Sequence, residues 1–195
     1  MIRALLLVFD PSNSWEKIKD AKPGLARISV TSFLPLLLLS AAVEAMGMTH
    51  WGVERSGLGD NVGKVPLALI LRYEAIQVLL TLLVVYGGAW VLIHVGASFH
   101  RRHTYLECFT TLAYSFTPFL FLRMLDGVPA INTWVCYGIG IFLTISLFYR
   151  SIPFILRPDP SNALGLVLFC TFLLIMTTGL AHFVAVMVLD GKILA

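Results

Sequence analysis

Five long runs of apolar residues, separated by polar or charged stretches, dominate the pattern along the chain. A helix rises about 1.5 Å per residue, so about 20 residues cross a hydrocarbon core of roughly 30 Å. The runs predict spans at about 28–49, 75–99, 104–125, 129–150 and 163–189. The predicted fold is therefore an all-α, polytopic membrane helix bundle. Residues 28–195 form its five-helix transmembrane domain, and residues 1–27 form a short amphipathic cytoplasmic segment.

The third run gives the weakest signal for a complete crossing. Only Cys108 to Leu122 is free of charged residues, which is short for a span. Extending the run to 104–125 adds Glu107 and Arg123 near its ends, where long charged side chains can reach the interface. The alternative interpretation is a re-entrant hairpin.

The segment before the first span has apolar residues at helical spacing within residues 2–9, followed by the apolar pair Trp15 and Ile18. Charged residues flank that pair. Such a stretch suits a helix that lies in the membrane interface. It equally suits an ordinary helix packed on the cytoplasmic ends of the bundle, and the sequence leaves both alternatives open.

Composition excludes an ordinary soluble domain. Hydrophobic residues make up 58% of the chain and charged residues only 13%, where soluble domains carry about 25% charged residues. The net charge of +3 comes from scattered basic residues, so we expect no nucleic-acid partner. Cys108, Cys136 and Cys170 lie in apolar runs without paired spacing, which predicts small buried hydrophobes rather than a disulfide framework.

The loops predict the orientation of the chain, because Lys and Arg accumulate on the cytoplasmic side of a membrane. With the N-terminus inside, nine basic residues face the cytoplasm and five face outward. The inner set is Arg3, Lys17, Lys19, Lys22, Arg27, Arg101, Arg102, Arg150 and Arg157; the outer set is Arg55, Lys64, Arg72, Arg123 and Lys192. We therefore expect a cytoplasmic N-terminus and an extracytoplasmic C-terminus.

Ionisable residues within or at the ends of spans are the first candidates for function, because a charge in hydrocarbon is costly. Glu44, Glu74, Arg123 and Asp126 all fall near the outer ends of the first three spans. One interpretation is an ion or proton site built from Glu44, Arg123 and a neighbour. The other is a structural pair, Glu44 with Arg123 or His50, that holds two helices together.

Histidines give a second set of candidates. His94 and His182 lie in apolar helices, where we expect each to hydrogen-bond a neighbouring helix. His100 and His103 in the second inner loop have a spacing that could share a metal ion, yet only Glu107 lies near them as a further ligand. A basic loop facing anionic headgroups is the favoured interpretation, and we predict no metal.

No catalytic motif occurs in the chain: it lacks a Gly-x-Ser-x-Gly sequence, a His-Glu-x-x-His sequence and a Gly-rich phosphate loop. We therefore predict that the protein is not an enzyme, that it has no catalytic residues and that it needs no cofactor.

The order of several short motifs resembles the bacterial branch of the Yip family, the Ypt/Rab-interacting-protein family of small five-span membrane proteins. The resemblance covers most of the chain. The residues that carry it are Asp10, Pro11, Trp15 and Ile18 at the start, His94, Tyr114 to Pro118, Pro129, and Ser151-Ile152-Pro153. The resemblance implies a five-span fold, with Asp10, Pro11, Trp15, Tyr114, Pro118 and Pro153 as family-like positions.

Two departures limit what the resemblance implies. Eukaryotic members carry an Asp-Leu-Tyr-Gly-Pro motif that this chain lacks, and Ala113-Tyr114 stands where they have Gly-Tyr. We therefore do not expect GTPase binding here. The brief N-terminal region points instead to the inner, cytoplasmic membrane of a bacterium, where the resemblance implies a fold more than an activity.

Three functional hypotheses follow. The first is a non-catalytic membrane-organising protein that interacts with membrane lipids and with a membrane-protein partner or a second copy of itself. The second is a small ion- or proton-coupled transporter or channel that uses Glu44 and Arg123. The third, an intramembrane enzyme, rests only on the scattered histidines.

Overall fold

The computed structural model of the protein describes residues 7, 11–21, 23–54, 62–98, 103–128, 130–156 and 163–189. Within them, five helices are long and apolar enough to cross a membrane, which confirms the predicted all-α, polytopic fold. A shorter helix, α1 (Pro11–Ala21), precedes them. The five are α2 (Leu25–Trp51), α3 (Leu67–Ala97), α4 (Tyr105–Asp126), α5 (Thr133–Leu156) and α6 (Ala163–Leu189).

Helix α4 occupies the centre of the bundle and contacts α2, α3 and α5. Of its spanning window 72% is buried inside the protein, against 22–50% for the other four. Its low hydropathy therefore reflects side chains that face other helices rather than lipid. Backbone hydrogen bonds continue through its one irregular residue, Phe116, and its 22 residues cover about 33 Å. The structure thus favours a complete crossing over a re-entrant hairpin.

Helix α3 begins at Leu67, earlier than the start at residue 75 that hydropathy predicts. Arg72 and Glu74 interrupt the apolar run without interrupting the helix. Arg72 lies on an exposed face, whereas Glu74 is buried among neighbouring helices. A hydropathy pattern cannot distinguish these two situations, so it places the boundary too late.

Three of the spanning helices contain a π-helical turn: Ser29–Phe33 in α2, Leu83–Gly87 in α3 and Ile152–Leu156 in α5. Such turns widen a helix locally and frequently occur at functional sites. The turn in α3 ends at Gly87 and is followed directly by Gly88. This part of the helix is therefore widened, and two adjacent residues in it have no side chain. It borders a groove between α3 and α6.

Helix α1 packs on α5 and on its π-helical turn. The side chains of Trp15 and Ile18 are 0% and 1% exposed, and the Trp15 ring contacts the edge of Tyr114 in α4 at 6.3 Å between centroids. The apolar pair of α1 therefore faces the bundle, as in the second of the two alternatives for this segment. The apolar positions at 2–6, 8 and 9 lie outside the described residues.

The connection from α2 to α3 carries a minimal antiparallel pairing of β1 (Val53–Glu54) with β2 (Val62–Gly63). Helix α2 ends at Trp51, and the following residue, Gly52, has a φ of 87°, a positive value that glycine adopts at little cost. This turn directs the chain away from α2 at the same end of the bundle where Glu44, Glu74 and Arg123 lie.

Candidate functional site

The centre of the candidate site is Arg123, which joins three spanning helices. Its Nε donates a hydrogen bond to Glu44 Oε2 at 2.5 Å, and its Nη2 donates to Glu74 Oε2. Arg123 comes from α4, Glu44 from α2 and Glu74 from α3, and each residue is at most 6% exposed. We call these three residues the charge cluster. The planar guanidinium suits this role because its fixed N–H groups can serve two carboxylates at once.

Polar residues of α3 extend the charge cluster. Tyr73 donates its hydroxyl hydrogen to Glu44 Oε1 at 2.8 Å, and Gln77 Nε2 donates to the Tyr73 oxygen at 3.0 Å. One turn further, the Thr81 hydroxyl bonds to the Gln77 carbonyl at 2.8 Å. Sequence reasoning missed these three residues. The available signal was their spacing of four in an otherwise apolar helix, which places them on one face.

Two glycines allow the helices to approach closely enough for these contacts. A Cβ atom on Gly47 of α2 would lie 2.5 Å from the carbonyl oxygen of Gly127, the residue after α4. A Cβ atom on Gly127 would lie 2.7 Å from the Glu44 carbonyl oxygen. The two backbones are therefore in direct contact, one turn from Arg123. Small residues serve such close helix contacts in membranes.

Asp126 lies beside the charge cluster without pairing directly with Arg123. Its carboxylate accepts a hydrogen bond from the Thr133 hydroxyl, at the start of α5. The preceding residue, Asn132, caps α5 by accepting from the Trp134 backbone N–H at 2.9 Å. Asp126 thus stabilises the turn between α4 and α5 through its hydrogen bond with Thr133. Its side chain is only partly buried.

His182 of α6 lies in an aromatic group with two residues of α5. Its ring stacks on Tyr137 with centroids 5.0 Å apart and meets Trp134 edge-on at 4.8 Å. The Tyr137 hydroxyl bonds to that of Thr178 at 3.1 Å. His182 is 5% exposed, and its Nε2 has no hydrogen-bond partner among the described residues. We expected a hydrogen bond between helices here, and the contact is an aromatic one instead.

His94 lies far from the charge cluster, towards the other end of α3. Its Nδ1 is 2.9 Å from the Trp90 carbonyl oxygen, and the two rings are 4.2 Å apart. Glu74 and His94 are twenty positions apart, which corresponds to about 30 Å along the helix. The six predicted polar residues therefore divide into three places. Glu44, Glu74, Arg123 and Asp126 come together, while His182 and His94 occupy two separate surroundings.

No group of three or more His, Cys, Asp or Glu side chains within the described ranges is arranged to hold a metal ion. His103 is buried, and His100, the other histidine considered as a possible metal ligand, lies outside those ranges. The three cysteines are buried and unpaired.

Most of the residues that carry the family resemblance lie within the described part of the chain. Trp15 and Tyr114 pack against each other, and Pro118 opens the second half of α4 after the irregular residue Phe116. Pro11 begins α1, and Pro153 lies in the π-helical turn of α5. Asp10 and Pro129 lie outside the described residues.

A groove of about 410 Å³ runs between α3 and α6. Leu112 of α4 and Phe148 of α5 form part of its lining, together with Gly87 and Gly88 of α3. The hydroxyl of Thr177, which lies in this lining, donates to the Leu173 carbonyl at 2.8 Å and is thereby used within α6. We call this feature the α3–α6 groove, and its lining suits a hydrocarbon chain.

The family model of the Yip1 domain matches residues 5–188. The search of curated proteins and the search of solved structures found no match.

Proposed function

The chain belongs to the Yip1 domain family, and from that premise we propose a non-catalytic membrane-organising protein that works by binding lipids and membrane-protein partners. Its charges within the membrane serve to hold helices together, and its lipid-facing surface makes the functional contacts. The proposed site of action is the inner membrane of a bacterium. Nine basic residues against five favour a cytoplasmic N-terminus and an extracytoplasmic C-terminus.

The observation that carries this proposal is the contrast between the charge cluster and the α3–α6 groove. Glu44, Glu74 and Arg123 bond to each other inside the bundle. The groove between α3 and α6 is lined by apolar side chains. Large apolar residues such as Phe142 and Phe172 are 69% and 64% exposed on the outside of the helices. Apolar area of this kind is what lipid chains and partner helices contact.

A photoreactive phospholipid tests the lipid part of the proposal. Protein in bilayers that contain a phospholipid with a diazirine on its acyl chain is irradiated, and adducts are located by mass spectrometry. We expect adducts to concentrate on the lining of the α3–α6 groove. Gly87→Phe should reduce them, because a Cβ there meets only the Leu83 side chain, at 3.8 Å, and the ring can enter the groove.

Gly138→Phe is the matched control, since a Cβ on Gly138 of α5 meets nothing within 4 Å and adds apolar surface elsewhere. Purification of the same variants from native membranes, with mass spectrometry of bound proteins, tests the partner part. Adducts spread evenly over all lipid-facing residues, and unchanged by Gly87→Phe, would contradict a specific lipid site.

The charge cluster favours one second candidate, a small proton- or ion-coupled transporter that uses Glu44 and Arg123. Two carboxyl groups and a guanidinium buried between three spans are also the kind of group found along proton pathways. Protein reconstituted in vesicles under a proton gradient decides between the two. Flux that disappears in Glu44→Gln would favour transport, whereas the organising function predicts no flux in either protein.

A further inference from the structure

The charge cluster holds more acid than base. Glu44 and Glu74 are 0% and 6% exposed, and Arg123 is their shared cation at 5%. If both glutamates were ionised, one negative charge would remain uncompensated between α2, α3 and α4. An uncompensated charge in such surroundings is so costly that the group usually becomes neutral instead.

The hydrogen bonds distinguish the two glutamates. Both carboxylate oxygens of Glu44 accept a hydrogen bond, one from Tyr73 and one from Arg123, which is the environment of an ionised group. Only one oxygen of Glu74 accepts, from Arg123 Nη2. Its other oxygen, Oε1, is buried and has no hydrogen-bond partner among the described residues.

We propose that Glu74 is a proton-binding site, whose carboxyl group holds a proton on Oε1 at neutral pH. The charge cluster then consists of an ionised Glu44, a charged Arg123 and a neutral Glu74, with no net charge. Glu74 still accepts the Arg123 hydrogen bond through Oε2, so the proton lets the second acid join the cluster without adding charge.

The groups around Glu74 agree with this assignment. The charged side chains that interact electrostatically with Glu74 are Glu44 of α2 and Arg123 and Asp126 of α4. Tyr73 of α3 bonds to Glu44, and His182 of α6 interacts with Arg123, while Arg72 lies on the exposed face of α3. Arg123 is the cation among them that bonds to Glu74. A metal cation in place of the proton would need several oxygen ligands, yet three of the four oxygens of the two buried glutamates already accept hydrogen bonds.

Infrared spectroscopy of the full-length protein in lipid nanodiscs at pH 7 tests whether a protonated carboxyl group is present. We expect a carboxylic C=O band that shifts in D₂O, that disappears in Glu74→Gln, and that remains in Glu16→Gln, a variant of an exposed residue on α1. Absence of this band in the wild-type protein would overturn the proposal, as would its survival in Glu74→Gln.

Thermal unfolding of two variants then assigns the proton to one glutamate. Glutamine copies a neutral glutamic acid, so Glu74→Gln should keep the wild-type melting temperature. Glu44→Gln should lower it by several degrees, because it replaces the ionised partner of Arg123 and Tyr73. The reverse order of the two melting temperatures, or a Glu74→Gln chain that fails to fold, would contradict the proposal. Neither result depends on whether the protein binds lipids, partners or a transported ion.

Discussion

The contact between Gly47 and Gly127 gives the sharpest prediction about how the site is built. In Gly47→Ala the added Cβ would lie 2.5 Å from the Gly127 carbonyl oxygen, about 0.9 Å short of the 3.4 Å at which ordinary contact begins. The carbonyl carbon and Cα of Gly127 would lie at 2.8 and 2.9 Å. All three atoms are backbone, so no rotation of a side chain relieves the clash, and α2 must move away from the end of α4.

Overpacking of this kind typically costs about 1–3 kcal/mol, and a rigid backbone on both sides places the expected cost at about 2–3 kcal/mol. For a chain of this length that lowers the melting temperature by about 4–12 °C. The same movement lengthens the contact between Arg123 and Glu44, since Glu44 lies one turn from Gly47 on α2.

Gly138→Ala is the matched control, because a Cβ there meets nothing within 4 Å. Alanine is favoured over glycine in a helix by up to about 1 kcal/mol, so this variant should be neutral or slightly stabilised. The measurement is thermal unfolding of both purified variants in the same mild detergent. Equal melting temperatures for Gly47→Ala and Gly138→Ala would refute the close helix contact.

Three further substitutions test other contacts of the bundle, each by its free energy of unfolding in mixed micelles. Arg123→Met leaves the buried Glu44 without its cation and should cost about 3–5 kcal/mol; a cost below 1 kcal/mol would mean that the ion pairs do not hold the helices. Tyr73→Phe removes one hydrogen bond to Glu44 and should cost about 1.5–3 kcal/mol; no change would show that this bond is not formed. Trp15→Ala should cost about 3–5 kcal/mol and increase proteolysis at α1, because Trp15 is fully buried. Glu16→Ala, a change of an exposed residue on the same helix, is its control. Equal proteolysis of the two variants would argue against the packed position of α1.

The sequence predicts the five crossings well because each apolar run is about as long as the hydrocarbon core is thick. It also places Glu44, Glu74, Arg123 and Asp126 towards one end of the bundle, since antiparallel helices bring these positions to the same side. Hydropathy alone predicts neither the start of α3 at Leu67 nor the centre of the bundle. The start of α3 and the central position of α4 both depend on which charged side chains form ion pairs or hydrogen bonds inside the bundle.

The partners within the site are harder to predict. Tyr73 and Gln77 look like tolerated polar residues in a long apolar helix, and only the rotation of α3 turns them towards Glu44. The contact between Gly47 and Gly127 joins α2 to the residue after α4, and no local sequence pattern predicts a contact between residues so far apart along the chain. His94 and His182 resemble the other polar candidates in sequence, yet their positions along α3 and α6 lead to separate contacts.

The most direct test of the charge cluster compares Arg123→Met alone with the triple variant that also carries Glu44→Gln and Glu74→Gln. Their free energies of unfolding are measured under the same conditions in mixed micelles. If Arg123 holds α2, α3 and α4 together through the two glutamates, neutralising all three residues should recover most of the stability that Arg123→Met loses. A triple variant at least as unstable as the sum of its three single variants would contradict this account.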